Sequence, residues 1–309
     1  MDMPACPLGS SPAGINGTAL RPVMHEKEKE KELHGMFRII KVLNNNSILV
    51  LSNETKREYI LMGNGIGFGK MPGQQIESMK GAKVYSLVTR KKKQSALKAV
   101  NAIDPVYLEI SGEIIDLAEE EFSQVNRDIL LAMADHIALA AKRAKENMQF
   151  PNPFTRDIQM LFSREFQVAL KGREVIRAKT GYVISDDEAG LIALHIHAGL
   201  SDEMVSETLE ATRIIEECIA IIEEHFQTKI PKDSLAYARM MSHLYYMAAR
   251  ARKDEPLKVD MNDYIYEKYP QTAKASELVC AHMGKEMKKE IRKEEIGFLG
   301  IHIQRILSE

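Results

Sequence analysis

The chain has 309 residues, 45% of them hydrophobic and 28% charged, which is room for two or three soluble globular cores. Its 42 basic and 44 acidic residues give a formal charge of -2, which, if spread evenly, argues against a nucleic-acid partner. With no Trp and 6% aromatic residues it is no carbohydrate-stacking module, and Cys6, Cys218 and Cys280, without CxxC spacing, exclude a disulfide scaffold or thiolate zinc site and suit a reducing cytoplasm.

Residues 1–35 carry Pro4, Pro7, Pro12 and Pro22, then alternating Glu and Lys from Glu26 to Glu32. Such a segment buries too little apolar surface to offset its ordering entropy and is expected to be a disordered leader. It resembles no signal peptide, and no later apolar run approaches the roughly 18 residues of a membrane span. A cytoplasmic protein without membrane insertion is expected.

From Phe37 the pattern becomes short Val, Ile and Leu runs separated by turn residues: Phe37–Leu43, Ser47–Ser52 and Glu58–Met62, with Asn44, Asn45 and Asn46 between the first two. These runs predict a hairpin meander. A glycine-rich loop follows from Gly63 to Lys70, then one more strand over Lys83–Thr89. So small a sheet should be marginal alone, and dimerisation would supply its missing core.

After the Arg90–Lys93 run, apolar residues recur at helical spacing in Ile129–Ala141, Asp157–Leu170, Glu188–His197, Met204–Ile222 and Leu235–Ala249. The fold class is therefore α+β multidomain, with a small antiparallel β domain followed by helical bundles. Charge divides at the same boundary. Residues 36–93 hold eleven basic and three acidic residues, an excess of eight positive charges, whereas the helical remainder carries nine negative ones.

The helical part is duplicated. Asp135-His136-Ile137 and Ser242-His243-Leu244 are each followed, seven residues after the His, by Arg143 and Arg250. The Glu188–Ile196 segment parallels Glu295–Ile303, and His136 to His195 and His243 to His302 both span 59 residues. One period of 107 relates the pairs, which means two copies of a helical domain. A lone His on an apolar helix is ordinarily a packed, hydrogen-bonded side chain, but these recur in register. Neutral imidazole can accept a proton, a metal or a phosphoryl group. No HExxH or Cys cluster supports a metal, whereas a phosphoryl group adds up to about two negative charges and can repack a helical interface. Arg143 and Arg250 could steady such a charge or simply be solvated.

The glycine loop fails the dinucleotide template, with Phe68 at the third Gly position, and the Walker template, with Met71 after Lys70. RNA fits better. Phe68 offers a stacking surface, glycines allow close backbone approach, the Asn cluster offers amides, and Lys41, Lys70 and Arg90–Lys93 offer phosphate contacts.

The motif Lys41-Val42-Leu43-Asn44-Asn45-Asn46, followed by Met62 to Lys70, resembles the co-antiterminator RNA-binding domain of the BglG/SacY family of transcriptional antiterminators. The four histidine motifs resemble that family's two PTS-regulation domains, in the family's order. The resemblance covers residues 36–309. It implies a leader (1–35), an RNA-binding domain (36–91), a linker (92–100) and two PTS-regulation domains (101–205 and 206–309). It also implies a homodimer that binds an antiterminator hairpin in leader mRNA of a sugar-uptake operon. By this resemblance Asn46, Gly63 and Phe68 contact RNA, with Lys41, Asn44 and Lys70 in support. Asn64 departs from a position that is often basic in the family, which bears on the choice of hairpin. His136 and His195 would be phosphorylated by the sugar-specific PTS enzyme II (IIB), inactivating the protein, and His243 and His302 by HPr, activating it. The sign of each effect varies between members. No cofactor and no catalytic residue are implied. A PTS-regulated DNA-binding activator would need an N-terminal helix-turn-helix where strands are predicted, and a histidine-dependent phosphotransfer enzyme would need a further catalytic set.

Overall fold

A computed structural model describes residues 35–77, 82–86, 100–148, 150–201 and 203–308. Residues 1–34 of the expected disordered leader (1–35), the Arg90–Lys93 run, residues 92–99 of the expected linker and the end of the expected last strand (87–89) lie outside the described residues.

Five strands, β1 (Met36–Asn44), β2 (Ser47–Ser52), β3 (Glu58–Met62), β4 (Gln75–Glu77) and β5 (Lys83–Ser86), form one antiparallel sheet in the order β4-β1-β2-β3-β5. Side chains alternate between its faces as the pleat requires. One face carries Phe37, Ile39, Ile48, Val50, Tyr59 and Leu61, which close a small core with Ile66 and Ile76. The other carries Leu49, Ile60, Met62 and Tyr85.

The rest is helical. The elements are α1 (Pro105–Phe122), a single 3-10 turn (Arg127–Ile129), α2 (Leu130–Lys145), α3 (Thr155–Leu161), α4 (Ser163–Thr180) and α5 (Asp186–Leu200), then α6 (Val205–Phe226), α7 (Leu235–Lys253), α8 (Asn262–Lys268), α9 (Pro270–Met287) and α10 (Glu294–Leu307). The step of 107 residues carries α3 onto α8 and α4 onto α9 residue for residue. It also carries Gly181, which ends α4 at φ +77, onto Lys288, which ends α9 at φ +53. The second copy thus keeps the left-handed cap without glycine, at a penalty of about 1 kcal/mol. Boundaries follow local chemistry. Asp104 caps α1 ahead of Pro105, and Ser185 caps α5 by accepting from the Glu188 amide.

Each helical unit has its own core. The first core extends into the sheet: Leu49, Ile60, Met62 and Tyr85 join Leu108, Ile110 and Ile114 of α1 in one cluster. Gly112 makes this possible, because a Cβ there would lie 3.1 Å from the Tyr85 hydroxyl and 3.2 Å from Met62 Sδ. Lys83 pairs with Asp116 at the edge, and Arg127 lies over the Tyr85 ring at 5.9 Å. A fully buried apolar side chain of this size contributes about 1.5–3 kcal/mol relative to exposure. The first helical unit thus covers one face of the small sheet.

The two helical units also meet each other. His197 of α5 contacts Glu165 (3.1 Å) and the Tyr245 hydroxyl of α7 (3.0 Å), and Tyr237 donates to Asp157 of α3 at 3.0 Å.

Candidate RNA interface and paired histidines

At one end of the sheet the β1–β2 turn and the glycine loop are tied together by backbone bonds. The Asn44 carboxamide oxygen accepts from the Asn46 amide (2.9 Å) and the Ser47 hydroxyl (2.7 Å), which folds the turn back on itself. The Gly63 amide donates to Asn46 O and the Gly67 amide to Asn45 O, both at 2.9 Å, and the Gly65 amide donates to the Asn46 side chain at 3.0 Å. Gly67 has no room for a side chain: a Cβ there would lie 2.1 Å from Asn44 O. Ile66 points into the small core, and Phe68, two residues on, is thrown outward at 74% exposure.

The expected RNA residues divide accordingly. Asn46, Asn64 and Phe68 are exposed together on the loop and turn, with Asn45 beside them, and Gly63 acts through its backbone. Lys70 closes the loop through its amide to Gly67 O. Lys41 and Asn44 turn the other way: Lys41 Nζ donates to Asn101 Oδ1 (2.6 Å), and Asn44 Nδ2 donates to Glu109 Oε1 of α1 (2.7 Å). The loop half of the surface is open and the strand half is engaged by the first helical unit.

The histidines meet as the repeat requires. His136 of α2 faces His195 of α5 with ring centroids 5.4 Å apart, and His243 of α7 stacks on His302 of α10 at 4.1 Å. Two turns beyond His136, Arg143 reaches Glu188, which lies two turns before His195, so α2 and α5 run antiparallel. Arg250 and Glu295 repeat the arrangement between α7 and α10.

Burial holds all four rings unprotonated near neutrality. It pushes His195 down to about 3, with the neighbouring His136 adding to the shift, and His243 down to about 3, with His302 and Arg250 adding. His136 and His302 are also lowered, chiefly by burial; Glu188 opposes the shift at His136. An unprotonated ring keeps the lone pair that a phosphoryl acceptor needs. His136 Nε2 lies 3.5 Å from both the carbonyl and the carboxylate of Glu188, whereas His243 Nε2 is buried with no hydrogen-bond partner.

Neither arginine is solvated. Both are forked onto buried carboxylates, Glu188 and Glu295. Glu188 and Glu295 head the two repeated segments, and their residue type alone suggests no role. Their position seven residues before each second histidine, mirroring the arginine seven after each first, was the available signal. Glu109 offered none.

A strand-built module with an exposed loop and turn, followed by two copies of a helical unit each enclosing a histidine pair, defines a modular regulator. The comparisons agree. Residues 37–94 match the CAT RNA binding domain, and residues 112–199 and 216–306 each match the PRD domain. The chain is 30% identical to the PtsGHI operon antiterminator of Bacillus subtilis, over 90% of this chain and 99% of that protein. It is 28% identical to the transcription antiterminator LicT of the same organism, over 88% of this chain and 100% of that one, and 27% identical to the beta-glucoside operon antiterminator of Dickeya chrysanthemi, over 88% and 98%. A crystal structure of GlcT CAT-PRDI is 34% identical, spans 54% of this chain and 99% of that one, and superposes with a TM-score of 0.47. The chain belongs to the family of transcription antiterminators that join a CAT RNA binding domain to two PRD domains.

Proposed function

We propose that this protein binds, as a homodimer, an antiterminator hairpin in the leader mRNA of a sugar-utilisation operon, so that transcription passes the terminator. Asn46, Asn64 and Phe68 read unpaired bases, Gly63 lets RNA approach the backbone, and Lys41, Asn44 and Lys70 support the contact once RNA is engaged. Phosphorylation of His136 and His195 by the sugar-specific enzyme II turns the protein off, and phosphorylation of His243 and His302 by HPr turns it on. The protein is a cytoplasmic substrate of phosphotransfer and not an enzyme; among the described residues no helix is long and apolar enough to cross a membrane. The domain bounds that go with this reading are 36–91, 101–205 and 206–309.

The observation that carries the reading is the presence, in one chain, of the exposed Asn46–Phe68 end and two histidine pairs repeated in register. In a reporter strain whose leader carries the hairpin, His136→Ala with His195→Ala is expected to give antitermination without sugar. Unchanged sugar dependence in that variant would remove the assigned role of the first pair.

A further inference from the structure

Beside its two histidines and its arginine, each helical unit holds a buried glutamate that the histidine reading does not use. The Arg143 fork donates from Nε to Glu188 Oε1 at 2.6 Å and from Nη2 to Oε2 at 2.9 Å; the Arg250 fork uses the same atoms on Glu295 at 2.7 and 2.8 Å. Both carboxylates are buried, at 4% exposure, and both forks join the helices that carry the histidine pair. The two copies reached this geometry from different surroundings, since Phe150 covers Arg143 while Phe298 lies against the second histidine pair.

From this we infer that Glu188 and Glu295 are latch residues, which convert phosphorylation of a neighbouring histidine into separation of α2 from α5 and of α7 from α10. The inference rests on the histidines being phosphoryl acceptors. In the transfer, the lone pair of the acceptor imidazole nitrogen attacks phosphorus, and the bond from phosphorus to the donor atom breaks with its electron pair leaving on the donor, which for phosphoramidate departs as ammonia. No net proton is required. The acceptor then carries a phosphoryl group with nearly two negative charges and three acceptor oxygens inside a low-dielectric helix pair.

The nearby guanidinium, Arg143 or Arg250, is already committed in a two-bond fork. If it turns to the phosphoryl group, a buried carboxylate loses its counterion; if it stays, the phosphoryl group lies unpaired beside that carboxylate. A buried charge without a partner is strongly unfavourable either way, and parting the two helices admits water to relieve it. His136, whose Nε2 already lies 3.5 Å from Glu188 Oε2, meets this conflict at once. Without the glutamate, the arginine would neutralise the phosphoryl group in place and the helices would have no reason to part. The glutamates are thus positioning residues acting through arginine.

The test uses the full chain phosphorylated with phosphoramidate, with site occupancy read by mass spectrometry and helix opening by hydrogen exchange. In the wild type, exchange over 130–145 and 186–200 is expected to rise at least tenfold on phosphorylation of His136 or His195. Glu188→Gln is expected to reach the same occupancy with the rise reduced to twofold or less, while 235–253 and 294–307 still respond in the same molecule. Because Glu188→Gln can weaken folding, Glu188→Met, which also leaves Arg143 free for the phosphoryl group, is run beside it, with the same expectation. A full rise in either variant at equal occupancy overturns the latch and leaves the acceptor reading standing. Wild-type protein that takes phosphate on none of the four histidines overturns the acceptor reading and the latch with it.

Discussion

Gly67→Ala places one methyl group where the proposed RNA-reading end has no space. The new Cβ would lie 2.1 Å from Asn44 O, so the loop or the turn must retreat by about 1 Å to reach van der Waals contact. The retreat pulls on the Gly67 amide bond to Asn45 O and on the Gly65 amide bond to the Asn46 side chain. Overpacking of this kind costs about 1–3 kcal/mol, and each bond contributes about 1 kcal/mol net. If about 2 kcal/mol must be returned to rebuild the reading geometry on binding, hairpin affinity falls about 30-fold. Gly65→Ala is the matched control: it also disturbs the loop, through φ +69, but nothing lies within 4 Å of its Cβ. The backbone penalty alone is about 1 kcal/mol, or about fivefold. Fluorescence anisotropy with labelled leader hairpin at fixed salt measures both, and far-UV circular dichroism checks that the helices persist. Gly67→Ala within twofold of wild type, or no weaker than Gly65→Ala, would refute the steric argument.

Stability is expected to fall as pH drops from 7 to 5. His195 and His243 are held down to about 3 when folded but have an ordinary value near 6.5 when unfolded, so below about pH 6.5 the unfolded chain binds protons that the folded chain refuses. Each such histidine removes up to about 1.4 kcal/mol per pH unit. Asp157, pushed up to about 6 by burial, acts oppositely, because its folded form takes the proton first and regains stability on acidification. One carboxylate against two histidines leaves a net loss, read as a lower urea midpoint at pH 5 than at pH 7; an equal or higher midpoint would contradict the neutral buried rings. Glu109→Gln keeps an acceptor for Asn44 Nδ2 while removing a negative charge beside the strand half of the proposed RNA surface. Hairpin affinity is expected to rise about threefold to tenfold at low salt and less at high salt, and an unchanged affinity at low salt would show that RNA never approaches that carboxylate.

What the sequence disclosed follows the range of the interactions involved. Strands β1, β2 and β3 were legible because alternation and β-branched residues are local signals, whereas β4 has only Gln75, Ile76 and Glu77 and exists because it pairs with Met36–Arg38. The histidine pairs were legible because duplication preserves register, although no single histidine announced itself. His197, which has no equivalent in the other copy, proves to join the two helical units through Glu165 and Tyr245. The arginines were visible as candidate phosphate partners, but their existing bonds to Glu188 and Glu295 depend on antiparallel helices more than 40 residues apart in sequence. The cover over Leu49, Ile60, Met62 and Tyr85 is likewise tertiary, and only the folded chain reveals that α1 provides it.

The most direct test is transcription in vitro from a template whose leader hairpin overlaps a terminator. Full-length wild-type protein is expected to raise terminator read-through. Phe68→Ala, which removes the exposed stacking surface and with it about 1–3 kcal/mol of base contact, is expected to lose most of that effect at the same protein concentration. Read-through that wild type leaves unchanged, or that Phe68→Ala supports equally well, would contradict antitermination through this surface.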